Sequence, residues 1–478
     1  MESLKEKTAK GLFWGALNNG TTQILNIIIG IFLARLLSPD DYGLVGMLAI
    51  FSAIAGNLQS SGFTNAIVNI KKPTANDYNA VFWFNITTSI VIYIILFFCA
   101  PLIASYFRQP CLVKLSRIVF LSFVIASFGI AHNAYMFKNM MNKESAIIGI
   151  VALIVSGITG IAMALEGLAY WSLAWQQITY ISVINIGRYY YTSWHPSFHI
   201  DFTPIRRMFG FSVKILVTTI VNSVSNNILT FIFGRLFSAK IVGNFSQAYK
   251  WDTMAYSFVS GTVAQVAQPV LSSLTDEAER EKRVFRKMTR FTAFLVFPSM
   301  FGLALIAKEF ILITISAKWI DSIILMQILC ISGAFFPFYT LYQNLVISHG
   351  RSDIYMWCNI MQILVQIGVM LIFYRYGIET MVTIYTIFNI LWIFVWLFFA
   401  KHLIKLRFMD FIRDIVPFMI VSLVVMVITY FATLFINNML LVLISKILIA
   451  SILYFVIMKV THVKILEECL SFIHKSKA

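Results

Sequence analysis

Apolar residues run along this chain in stretches of about 20 or more, separated by short polar connections. Fourteen such stretches stand out, at roughly 12–34, 43–66, 79–105, 113–137, 145–165, 168–190, 207–234, 243–272, 289–307, 322–347, 354–374, 380–400, 414–436 and 439–458. Each is long enough to cross a bilayer as a helix, so the pattern predicts an all-α polytopic membrane protein with about 14 transmembrane helices. No connection is long enough to form a domain. The longest are 191–206, 275–288 and 401–413, and the second reads as a charged amphipathic helix lying on the membrane surface or as a solvated linker.

Composition agrees with this pattern, because 59% of the 478 residues are apolar or aromatic and 12% are charged. The net charge of +16 would suit a nucleic-acid partner, but its placement argues against one. Basic side chains gather in alternate connections, including Lys71, Lys72, Lys138, Lys143, Arg206, Arg207, the run Arg280 to Arg290, Arg351, Lys401 and Lys405. The intervening connections hold only Arg35, Arg108, Lys114, Arg117, Arg235, Lys240, Lys308, Lys318 and Arg375. This is the positive-inside asymmetry, and it predicts a multi-pass protein with both termini in the cytoplasm. The start of the chain reads as a retained first helix and not as a cleaved signal. The five cysteines are scattered without a CxxC pair, which predicts free thiols and neither a metal site nor a disulfide frame. No phosphate loop, HExxH or GxSxG motif is present, so no cofactor is expected.

Two polar corners resemble each other at an offset of 200. "ARLLSPDDYG" at 34–43 and "GRLFSAKIVG" at 234–243 share Arg35 with Arg235, Leu36 with Leu236, Ser38 with Ser238 and Gly43 with Gly243. The helices leading into them also match: Asn18, Asn19, Thr22, Gln23 and Asn26 fall opposite Thr218, Thr219, Asn222, Ser223 and Asn226. At 100° per residue each set covers an arc of about 140°, one helix face. The duplication predicts two six-helix bundles, 1–200 and 201–400, with an additional helix pair and tail at 401–478. Asp40 and Asp41 look at first like an acid pair, yet the second corner lacks them. They read as a solvated turn in which Asp41 caps a helix starting near Tyr42.

Polar side chains in hydrocarbon belong at a wet cavity or at helix contacts. The matched stripes favour a shared cavity. Lys214 lies beside the second stripe, about 10 Å into its span, where snorkelling to the interface competes with a cavity role. Lys250 shares a face of about 80° with Gln247, Ser257, Gly261, Gln265 and Gln268, which suits an anionic, hydroxyl-rich ligand. Asp252 projects about 160° away from Lys250 and is the clearest acid inside a span. It is the candidate ion-coupling residue, with pairing to another helix as the alternative. His132 reads as helix packing in preference to proton relay.

"FLARLLSPDDYGLVGMLAIFSAIAGNLQSSGFTNAIV" resembles the N-terminal signature of bacterial polysaccharide exporters, the Wzx/WzxC-like branch of the multidrug/oligosaccharidyl-lipid/polysaccharide exporter superfamily. "NNILTFIFGRLFSAKIVGNFSQAYK" is similar to the seventh and eighth helices of that family, "EGLAYWSLAWQQ" to the start of its sixth, and "ISHGRSDIY" to its tenth-to-eleventh turn. The resemblance implies a V of two six-helix bundles in the bacterial cytoplasmic (inner) membrane. It implies alternating access for an undecaprenyl-diphosphate-linked oligosaccharide destined for O-antigen, capsule or exopolysaccharide, and a lipid-side groove on helices 13 and 14. The implied partners are that lipid-linked oligosaccharide, membrane lipids, H+ or Na+, and the glycan polymerase and glycosyltransferases. The substrate-binding residues expected from this sequence are Lys214, Lys250, Arg35, Arg235, Asn18, Gln23, Asn26, Asn222, Asn226, Gln247 and Gln265. Two other readings compete with a flippase that is not an enzyme. A polyprenyl-dependent glycosyltransferase or polymerase would use Asp40 and Asp41, but would need a large outer loop. A multidrug–cation antiporter of the same fold would need cavity carboxylates.

Overall fold

The structure is a computed structural model that describes residues 4–60, 62–198, 200–463 and 465–468. Among these residues it is entirely helical, with seventeen α-helices and two short 3-10 turns. Nine helices are long and apolar enough to cross a membrane, and a tenth crossing arises if the bent pair Leu112–Ser127 and Ile130–Lys138 (44°) is one span. The chain is a multi-pass membrane protein. The chain divides into two compact units, Met1–Gly243 and Asn244–Ala478.

The N-terminal unit contains α1 (Leu4–Leu36), α2 (Pro39–Ser60), α3 (Phe63–Asn69), α4 (Ala75–Phe107), α5 (Leu112–Ser127), α6 (Ile130–Lys138), α7 (Asn142–Leu165), α8 (Trp171–Tyr191), α9 (Thr203–Leu236) and the first residues of α10 (Ala239–Ser272). α1 packs along α7, α7 along α8, α4 along α5, and α2 along α9. Its contact boundary falls at Gly243, so α9 packs with this unit. The connection 192–202 is fastened to α4: Ser197 N donates to Asn79 Oδ1 (2.9 Å), Trp83 Nε1 to Ser197 O (2.8 Å), and Asn76 Nδ2 to Asp201 Oδ2 (2.8 Å).

The first corner is a helix start. Ser38 N and Oγ donate to Asp41 Oδ2 (2.8 and 2.6 Å), and Asp41 N donates back to Ser38 Oγ (3.3 Å). This is a reciprocal capping box on a helix that begins at Pro39, three residues before the expected start, with Ser38 as the cap and Asp41 as its N3 partner. The two corners also meet. A Cβ on Gly43 would lie 1.9 Å from the Ala239 carbonyl oxygen, and one on Gly243 would lie 1.8 Å from that of Pro39. Pro39 and Ala239, like the two glycines, are 200 residues apart, so the contact is reciprocal across the offset.

In the C-terminal unit α11 (Ala278–Thr314) is the hub, packing against α12 (Asp321–Gly333), α13 (Phe336–Ser348), α15 (Ile378–Ile404), α16 (Phe408–Ala432) and α17 (Met439–Val460); α14 (Ser352–Phe373) packs on α13 and α15. The charged stretch expected to lie on the membrane surface is instead the first turns of this 37-residue helix. Its charges have partners that hold it in line. Arg286 donates to Asp414 Oδ2 (2.7 Å) and Oδ1 (3.0 Å) and pairs with Asp410 (2.9 Å), and buried Glu281 meets His349 (3.0 Å).

Candidate functional site

The polar stripes reach the structure in part. Asn18 and Lys214 lie on α1 and α9, but their side chains fall outside the described residues, as does that of Thr218. On α1, Gln23 is exposed and Asn26 half-buried; on α9, Asn226 is exposed and Asn222 half-buried. One edge of the α9 stripe serves packing, because Asn57 of α2 donates to Ser223 Oγ (2.6 Å) and to the Thr219 carbonyl (3.2 Å). Asn226, in the middle of the stripe, is exposed.

Arg35 and Arg235 end their helices, where a cation complements the carbonyl end of the helix dipole. Both are exposed. Arg235 donates to the Tyr106 carbonyl (2.5 Å) and stacks on the Tyr106 ring at 5.2 Å, so α4 anchors it.

The face of α10 that carries Lys250 changes character along its length. Gln247 is buried with neither amide atom paired, Lys250 is half-buried with its ammonium 5.7 Å from the Trp251 ring, and Gln265 and Gln268 are exposed. The buried part of α10 is polar beyond what the sequence pattern suggests: Asn244, Gln247, Asp252 and Thr253 all carry buried side-chain atoms without a hydrogen-bond partner.

Asp252 is 0% exposed, and neither carboxylate oxygen has a hydrogen-bond partner. A Cβ on Gly333 of α12 would lie 2.2 Å from its Oδ1, so the glycine makes the room the carboxylate occupies. A bare charge here would carry the full desolvation cost. His132 is buried, its Nδ1 2.6 Å from Thr192 Oγ1 and its ring 4.0 Å from that of Tyr189. No cluster of three or more His, Cys, Asp or Glu able to hold a metal occurs among the described residues. Cys99, Cys111, Cys330 and Cys358 are free thiols, and Cys469 falls outside the described residues.

One charged pair escaped the sequence reading. Lys446 of α17 donates to Glu309 Oε1 of α11 (2.8 Å) and to the Leu305 carbonyl (3.1 Å). A lysine in the apolar run "MLLVLISKILIASILYF" was the available signal. Its partner lies 137 residues away, just past the expected end of a span.

The chain is 22% identical to the lipopolysaccharide biosynthesis protein WzxC of Escherichia coli over 358 residues, 74% of this chain and 72% of that one. It is 22% identical to the teichuronic acid biosynthesis protein TuaB of Bacillus subtilis over 426 residues, 88% of each. Its fold is that of the lipid II flippase MurJ in an inward closed conformation, with a TM-score of 0.76 at 16% identity over 95% of this chain and all of that one. The family described as polysaccharide biosynthesis protein matches residues 32–324, more than half of the sequence, and this chain belongs to it.

Proposed function

We propose that this protein flips a polyprenyl-diphosphate-linked oligosaccharide across the bacterial cytoplasmic membrane by alternating access, supplying O-antigen, capsule or exopolysaccharide synthesis. The reading is carried by membership of the polysaccharide biosynthesis family on a MurJ-like fold. WzxC is named for lipopolysaccharide biosynthesis and TuaB for teichuronic acid biosynthesis, and MurJ is a lipid II flippase.

Seventeen helices give fourteen crossings when α2–α3, α5–α6 and α12–α13 are each one broken span. Fourteen crossings with the basic connections inside put both termini in the cytoplasm. In this arrangement 1–200 and 201–400 are the repeated bundles and 401–478 the added helix pair and tail. Lys214, Lys250, Arg35 and Arg235 attract the diphosphate, and the amides of Asn18, Gln23, Asn26, Asn222, Asn226, Gln247 and Gln265 meet the sugars. Asp252 takes up a proton or sodium ion that resets the carrier, a role its unpaired, buried carboxylate supports. Glycosyltransferases would supply the cargo and a polymerase would receive it.

The test is flipping of a fluorescent lipid-linked oligosaccharide by purified protein in vesicles. Lys250→Ala and Lys214→Ala should each slow flipping about tenfold, the loss of one charge-assisted hydrogen bond. Full activity in both would remove the diphosphate site. Lengthened glycans made by the purified protein would replace the flippase with a polymerase.

A further inference from the structure

α17 is almost wholly apolar, and a lysine at its eighth residue is costly in hydrocarbon. Lys446 is nevertheless only 6% exposed, so it does not reach for the interface. Its ammonium has three hydrogens, and two of them go to Glu309 Oε1 and the Leu305 carbonyl. Glu309 is 8% exposed, and its second oxygen, Oε2, is buried without a partner. A pair serving only to hold α17 against α11 gains little over apolar packing of the same shape. This pair instead leaves one donor and one acceptor side by side.

Both groups line a cavity of about 490 Å³ whose wall includes Lys308, Gln327, Tyr430 and Asn437 and which the α16–α17 connection borders. Lys446 and Leu305 also line an adjoining groove of about 530 Å³, walled by apolar residues such as Phe294, Pro298 and Ile447. One lysine therefore stands where a polar chamber meets an apolar channel. Two lysines against one glutamate leave the chamber with an excess positive charge, which selects an anion. The buried, unpartnered Glu309 Oε2 asks that anion to carry a hydroxyl as well.

The geometry points to a binding site for an anionic glycerophospholipid with free headgroup hydroxyls, of the phosphatidylglycerol class. The phosphate sits at Lys308 and Lys446, a headgroup hydroxyl donates to Glu309, and an acyl chain lies in the groove. The site is separate from the Lys250 face and does not rest on the flippase reading. The charge distribution assigns the α16–α17 connection to the outside, so the lipid comes from the outer leaflet.

Full-length protein in detergent, titrated with phosphatidylglycerol, phosphatidic acid or phosphatidylcholine and read by native mass spectrometry, tests the site. Phosphatidylglycerol should bind more tightly than phosphatidic acid, which lacks the hydroxyls, and than phosphatidylcholine, which lacks the net charge. Lys308→Ala, at an exposed position, should weaken it about tenfold. The double variant Glu309→Gln/Lys446→Met removes both buried charges together, which spares the fold an unpaired one, and should abolish the preference. Equal retention of all three lipids, or a preference unchanged in both variants, overturns the site. Displacement of phosphatidylglycerol by a polyprenyl phosphosugar at lower concentration also overturns it, since the chamber then belongs to the cargo.

Discussion

At Gly333 the chain leaves space for one oxygen atom. A Cβ there would sit 2.2 Å from Asp252 Oδ1, closer than any packed contact, and both partners belong to the C-terminal unit. Gly333→Ala should cost about 1–3 kcal/mol, the usual penalty of forcing an extra carbon into a filled interior. Thermal unfolding in detergent measures it. Adding Asp252→Ala should recover part of the loss, because the clashing oxygen leaves with the carboxylate while Met300 Cε, 2.6 Å from the same Cβ, must still shift, whereas additive effects would show the two positions to be independent. Asp252 was legible in the sequence because an acid in an apolar run is conspicuous. Gly333 was not, because a helical glycine looks the same whether or not a distant carboxylate needs its space. Asp41 lay between these cases: its capping role was visible, but the helix it caps starts at Pro39, since Ser38 and not Asp41 occupies the cap position.

Among the elements, α11 shows what periodicity cannot give. Its first turns carry so many charges that they read as a segment apart from the membrane span, yet no proline or glycine interrupts 278–297 and the helix runs on. Distant residues decide the outcome, chiefly Asp410 and Asp414 of α16, which take Arg286 between them. Asp414 is buried, so Arg286→Ala leaves a carboxylate with only the longer 3.6 Å contact to Arg290. The expected cost is about 3 kcal/mol, against less than about 1 kcal/mol for Arg280→Ala, whose bond to Glu277 lies in solvent. Equal melting of the two variants would show that the α11–α16 network adds nothing. The corner glycines make a second comparison at this scale. Gly43→Val and Gly243→Val each drive a side chain into a backbone carbonyl, while a Cβ on Gly56 meets nothing within 4 Å. The first two should lower folded yield and melting temperature sharply and Gly56→Ala should not, as size-exclusion profiles from membranes would reveal. The offset-200 pattern did announce these corners; that they touch through their glycines is a property of the backbone path alone.

For the whole molecule, apolar length contained most of what the placement of the helices required. Every expected span coincides with a helix or a broken pair of helices, including the breaks near residues 62, 129 and 335 that a window of hydropathy cannot detect. α8, α9 and α10 are absent from the nine strongly apolar helices found among the described residues, and they are rich in amides and hydroxyls. The number of crossings sets a testable parity. The proposed count of fourteen crossings predicts Asp40 and Asn437 outside and Lys72 and Arg351 inside, and all four side chains are exposed. In a background with the native cysteines replaced, Asp40→Cys and Asn437→Cys should react with a membrane-impermeant maleimide on intact cells. Lys72→Cys and Arg351→Cys should react only after permeabilisation. If Asn437→Cys is protected while Asp40→Cys reacts, a crossing between them has been miscounted. The α16–α17 connection would then face the cytoplasm, and the Lys446 chamber would draw its lipid from the inner leaflet.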